Sequence, residues 1–188
     1  DSFGFADPDG IYPKQVPPET FSSTQKTVHF DIYLAGLTIY RLLNGNDYYY
    51  RQLTFKSRNE YVDAIKNGQF PNRTAYLSHI PLKLQRIINK ALKVDLTDRY
   101  QTVLDLINEL GTVDENLDWV FRPSGNSLTW ITDKGDKTYE VILDRSNPKS
   151  LKIETFKTIK SSGRRTKTNA HCHNNLTSSN VQSRLKKA

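Results

Sequence analysis

The run Asp31-Ile32-Tyr33-Leu34-Ala35-Gly36-Leu37-Thr38-Ile39-Tyr40-Arg41-Leu42-Leu43-Asn44-Gly45 constrains this chain most, because it reads as a helix that is apolar on nearly every side. A helix without a polar face has to lie inside a domain, so it predicts a buried central element opened by Asp31 and stopped at Asn44-Gly45. The segment before it holds Pro8, Pro13, Pro17 and Pro18, too many breakers for a regular helix. It reads as an ordered loop followed by a short helix.

Further helices follow from their start and stop signals. Ser57 and Glu60 have capping-box spacing and predict a helix from Arg58 to about Asn67, ended by Gly68. Pro81 suits a first helical position, and Leu84, Ile87, Ile88, Ala91 and Leu92 make one stripe behind it. A last helix from near Thr102 to Gly111 places Val103, Leu106, Ile107 and Leu110 on a common stripe.

After Gly111 the period changes from helical to alternating. Short runs rich in aromatic and β-branched residues (DWVFR, SLTWIT, KTYEVIL, LKIETF) predict about four antiparallel strands, with turns at Asp133 to Asp136 and at Asn147-Pro148. The expected fold class is therefore α+β: a mainly helical domain over 1–111, a small antiparallel β domain over 112–159, and a basic polar tail over 160–188 with one short helix carrying Val181 and Leu185.

Charge follows the same division. Residues 1–111 hold 13 Lys+Arg against 12 Asp+Glu (+1), and residues 112–188 hold 14 against 8 (+6). Lys160, Arg164, Arg165 and Lys167, near Trp119, Trp130, Tyr139 and Phe156, give the mix of cations and rings that nucleic-acid binding uses. The plainer reading is that the rings fill the core of the sheet, and strand alternation favours it for Tyr139 and the tryptophans.

Other candidate chemistry is thin. His171-Cys172-His173 has metal-binding residue types, but adjacent ligands project apart and no second cluster completes a tetrahedral site. Cys172 is the single cysteine, so no intrachain disulfide can form. Of Tyr48-Tyr49-Tyr50, at least one should be exposed at a contact surface. No apolar run approaches the ~20 residues of a membrane span, and no signal segment opens the chain, so the expectation is a cytoplasmic protein without a membrane partner. The chain lacks methionine altogether, which predicts that it begins inside a longer protein or is a processed form.

Several pieces, taken in order, resemble the C-terminal lobe of a protein kinase of the eukaryotic-like, bacterial-type Ser/Thr class. Ser2-Phe3-Gly4 stands where kinases carry Asp-Phe-Gly. Pro17-Pro18-Glu19 is similar to Ala-Pro-Glu, and Asp31-Ile32-Tyr33-Leu34-Ala35-Gly36 to the D-x-[WY]-x-x-G start of the central helix. Leu42-Leu43-Asn44-Gly45, Gly68-Gln69-Phe70-Pro71 and Ala91-Leu92-Lys93-Val94-Asp95 leading to Asp98-Arg99-Tyr100 are similar to later blocks of that family.

The resemblance implies a structural set of Pro18, Glu19, Asp31, Gly36 and Arg99, in which Glu19 pairs with Arg99 and Asp31 accepts hydrogen bonds from the catalytic loop. It implies a parent enzyme that uses ATP and Mg²⁺ to phosphorylate Ser or Thr on protein substrates. The Gly-rich strand pair, the ATP lysine and the catalytic aspartate have no counterpart in this sequence, and Ser2 stands at the position of the Mg²⁺ aspartate. Hence the chain alone should be inactive, with a missing N-lobe or upstream segment as its partner. Alternatives are a pseudokinase-like scaffold and a nucleic-acid-binding module using the tail. The stretch from Gly4 to Pro17 is short, with Tyr12 its only hydroxyl residue, unlike the threonine-bearing loop of the family.

Overall fold

The computed structural model of the chain describes residues 15–23, 26–77, 79–114 and 118–185. Ser2-Phe3-Gly4 and Tyr12 lie outside the described residues. The chain forms two compact units, Asp1–Asp114 and Glu115–Ala188. Helices occupy the first and an antiparallel sheet the second, which makes the fold class α+β.

The helical unit is built around α1 (Val28–Asn44), followed by α2 (Asn46–Tyr50), α3 (Arg58–Lys66), α4 (Leu82–Ala91) and α5 (Val103–Leu110). Helix α1 buries Phe30, Ile32, Tyr33, Gly36, Leu37, Tyr40 and Asn44. Asp31, Thr38 and Leu42 form the exposed strip at i, i+7 and i+11, so the helix is central but does have one solvent-facing edge, on which Leu42 is 78% exposed. The helix also begins earlier than the sequence suggests: Thr27 is its N-cap, and Asp31 lies within its first turn.

The capping signals place α3 and α5 as expected. Ser57 Oγ accepts from the Glu60 N–H at 3.2 Å while a Glu60 carboxylate oxygen accepts from the Lys56 N–H at 2.8 Å, and Thr102 Oγ1 accepts from the Asp105 N–H at 3.0 Å. The stripe expected on α5 does not hold. Leu106 is buried, but Val103 and Ile107 are 43% and 57% exposed, because so short a helix meets its unit along one narrow line. On α4 the expected stripe is the observed core face, with Leu84, Ile87, Ile88 and Ala91 all buried.

The sheet contains β1 (Val120–Ser124), β2 (Ser127–Lys134), β3 (Lys137–Asp144), β4 (Leu151–Ile159), β5 (Arg165–Lys167) and β6 (His173–Leu176), in the order β1-β2-β3-β4-β5 with β6 also on β4. Two-residue turns connect β1 to β2 and β2 to β3, with Gly125 and Gly135 at their first central positions at φ 54° and 59°. Only glycine takes that conformation freely, and it gives the type II′ geometry that suits strand twist.

Six strands replace the expected four. The segment beyond residue 159, read as a polar tail, supplies β5 and β6, which share the outer edge of β4: Phe156 pairs with Lys167, and Leu151 with Leu176. Neither strand advertises itself, since β5 is wholly exposed and β6 buries only Leu176. The core of this unit is Trp130, Val141, Leu143, Leu151, Ile153, Leu176 and Val181, the last on the short terminal helix α6 (Val181–Leu185).

Candidate functional site

The two residues most strongly tied by sequence order meet in the structure. Pro17 and Pro18 are buried and start a single 3-10 turn over Pro18–Phe21, which holds Glu19 towards the interior. Arg99 follows α4 in a loop fixed by Asp95, whose Oδ1 accepts from both the N–H and the hydroxyl of Thr97 and whose carboxyl is thereby held below its ordinary range.

The guanidinium of Arg99 is fully buried and spends all five of its N–H donors. Nη1 and Nη2 each donate to one oxygen of Glu19 at 2.8 Å, a bidentate fork. Nη1 also donates to the His29 carbonyl at 2.8 Å, Nε to the Lys93 carbonyl at 2.6 Å, and Nη2 to the Val94 carbonyl at 3.3 Å. One side chain thus binds the 3-10 turn, the first turn of α1 and the segment after α4. Its plane lies over the Tyr33 ring, 4.8 Å from the centroid.

Tyr33 is a second meeting point. Burial raises its phenol, opposed by Arg73 and Arg99 and assisted by Glu19. Arg73, which the sequence does not single out, brings its guanidinium beside that hydroxyl, yet its own Nε and Nη2 are buried with no hydrogen-bond partner among the described residues. No local motif could have found it, because its place depends on the loop between α3 and α4 folding back over α1.

Asp31 stands apart from this network. Its carboxylate is exposed and makes no hydrogen bond or ion pair among the described residues. Gly36 is the remaining member of the set, and it faces α4. Of the three tyrosines after α1, Tyr49 is fully buried and Tyr48 and Tyr50 are half-buried, while Arg41 lies over the rings of Tyr49 and Tyr50 at 5.3 and 5.6 Å.

In the sheet unit, the four basic residues proposed to touch nucleic acid are brought to the β4–β5 hairpin. Three of them are already paired with carboxylates: Lys160 with Asp133 at 3.0 Å, Arg165 with Glu140 at 2.6 Å and Lys167 with Glu154 at 2.6 Å. Arg164 has no ion-pair partner among the described residues. Trp130 is in the core with Trp119 packed on it, whereas Tyr139 is half-buried and outside the core, because it lies one pleat beyond Val141 towards the open end of the sheet. Phe156 lies under Arg165, whose guanidinium carbon is 3.6 Å from the ring centroid.

Cys172 is partly exposed, and its Sγ accepts from the Thr155 N–H at 3.4 Å and contacts the Thr168 carbonyl at 3.4 Å. No group of three or more metal-ligating side chains occurs among the described residues. None of the helices there is long and apolar enough to cross a membrane. No protein-family model matches the chain, and no curated protein matches it at a significant level.

Proposed function

We propose that the helical unit is the C-terminal part of a Ser/Thr protein kinase, and that it serves transfer of the ATP γ-phosphate to protein hydroxyls only within a longer protein. The observation that carries this reading is the bidentate pair between Glu19 and Arg99, 80 residues apart, made by the two residues that motif order alone selects. An arginine buried in full is costly unless its charge and all its donors are met. Here they are met by a turn and by the start of the central helix, which is the tie the family requires between the end of an activation segment and its lobe. Asp31, exposed in the first turn of α1 and unengaged among the described residues, is placed to accept the backbone of a catalytic loop supplied by an upstream segment.

The residues present do not make an ATP or Mg²⁺ site. The lysine, base and Gly-rich loop of phosphoryl transfer have no counterpart here, and a serine replaces the metal-binding aspartate. No step of the reaction is therefore assigned to this chain's own side chains. Its part is to anchor the segment that would receive the protein substrate.

The test is an assay of labelled γ-phosphate transfer from Mg²⁺-ATP to a general protein substrate, run on this chain and on the natural protein with its upstream coding sequence. We expect no transfer by the chain alone and transfer by the longer protein, with an upstream ATP lysine and catalytic aspartate. A longer protein that binds its partners but lacks those residues, and transfers nothing, would replace this reading with a scaffold.

A further inference from the structure

The two faces of the sheet treat their cations differently. Residues paired across strands share a face, as do residues two apart along a strand. By that register, Glu140, Phe156, Arg165, Glu154 and Lys167 lie on the face away from the core, where the carboxylates pair with the cations.

The core-side face continues past Trp130, Val141 and Thr155 into two further rows. One row is Thr132, Tyr139, Lys157 and Thr166; the next is Lys134, Lys137 and Ile159, with Arg164 bonded opposite Ile159. Lys134, Lys137 and Lys157 therefore flank one half-buried tyrosine on its side away from Val141, and Arg164 lies one strand beyond Lys157. Lys157 and Arg164 have no ion pair among the described residues. Lys134 and Lys137 act on the carboxylates of Asp118 and Asp136, each of which accepts a hydrogen bond at 2.6 Å from a hydroxyl, of Thr132 and Ser161 respectively.

We propose that this end of the core-side face binds single-stranded nucleic acid, with Lys134, Lys137, Lys157 and Arg164 on phosphates and Tyr139 stacked on a base. Cations fit any polyanion, but a ring beside them adds nothing for a bare one. Its π-face suits a base. The surface lies wholly within the sheet unit and is independent of the kinase reading of the helical unit.

The experiment measures fluorescence anisotropy of a labelled deoxythymidine oligomer against the full chain over a range of salt. Binding is expected at low salt, weakening as salt rises. The double variant Lys157→Gln/Arg164→Gln should weaken it about tenfold and reduce the salt slope by roughly 1.4, at about 0.7 for each single-strand phosphate that loses its cation.

Tyr139→Ala should also cost about tenfold while Tyr139→Phe keeps the affinity, since the ring and not the hydroxyl does the stacking. Arg165→Gln/Lys167→Gln, on the opposite face, should change little. Circular dichroism verifies folding of each variant, and the Lys157→Gln/Arg164→Gln variant decides the matter should Tyr139→Ala unfold. The proposal is overturned by absence of binding to the wild-type chain, by an equal loss from the opposite-face variants, or by inorganic polyphosphate or a duplex competing as well as the single strand.

Discussion

Gly36 of α1 faces Ala91 of α4 so closely that a Cβ on Gly36 would stand 2.8 Å from the Ala91 Cβ. Leu92 is next nearest at 3.4 Å, and Ala91 and Leu92 are both fully buried, so nothing flexible can yield. Replacement by alanine gains about 1 kcal/mol of helix propensity. It then costs ~1–3 kcal/mol of overpacking. We expect Gly36→Ala to lower stability in urea denaturation, and Gly36→Ala/Ala91→Gly to recover part of the loss. A more stable single variant would show that α1 and α4 separate freely.

Arg99→Ala should destabilise the helical unit by about 3 kcal/mol or more, since it strands a largely buried carboxylate and three backbone carbonyls. Removing both charges together, as Arg99→Met/Glu19→Gln, should cost less than the single change. Chemical denaturation of Arg99→Met, Glu19→Gln and the double variant measures this coupling. Additive losses would mean that the pair contributes no energy of its own.

Asp31→Asn separates fold from activity. The side chain is exposed and unengaged among the described residues, so stability should stay within about 0.5 kcal/mol of wild type. On the proposed kinase reading, the same change in the longer protein should abolish phosphoryl transfer. Retained transfer would deny Asp31 the role of holding a catalytic loop.

The two units should fail at opposite ends of the pH scale. Burial pushes Tyr40 up to about 12, against a hydrogen bond from Gln52, and burial likewise raises Tyr49, Tyr61 and Tyr76. A raised phenol contributes stability in full below its unfolded value near ~10 and loses it as pH rises through the folded value. Helical circular dichroism should therefore collapse in alkali together with the appearance of phenolate absorbance. Early phenolate without loss of helix would contradict it.

In the sheet unit, hydrogen bonds from Thr138, Ser161 and Ser146 hold Asp133, Asp136 and Asp144 low, and Lys167 with Lys152 does the same for Glu154. Those contributions are complete above the unfolded values near ~4 and disappear as pH falls through the folded ones. They are small, because the groups face water. Strand signal should weaken first in acid, and an acid-stable sheet would oppose this.

The helices were legible because their burial repeats with a regular period and their ends carry caps: Ser57 and Thr102 each bind the backbone as their spacing suggests. The Glu19–Arg99 tie was legible only through motif order, since no periodicity links residues so distant. What escaped was set by tertiary context. Residues 165–167 and 173–176 become strands because β4 has an edge to offer and not because of their own pattern. Val103 and Ile107 satisfy a helical stripe yet remain outside, as a stripe tells which residues share a side and not how much of it is covered. Tyr139 alternates like a core residue, but the sheet outruns its core.

The knot at Arg99 has a consequence for how the molecule is made. Glu19 is synthesised 80 residues before the arginine that receives it, and the His29 carbonyl 70 before. As the chain leaves the ribosome, the turn at Glu19 and the start of α1 must wait, unlocked, until nearly the whole helical unit has emerged. A contact of such sequence separation bears its loop-closure entropy before it is rewarded, so it belongs to the late, cooperative part of folding. A nascent chain stopped short of Arg99 should stay open to protease near Glu19, and one that has passed it should close all at once.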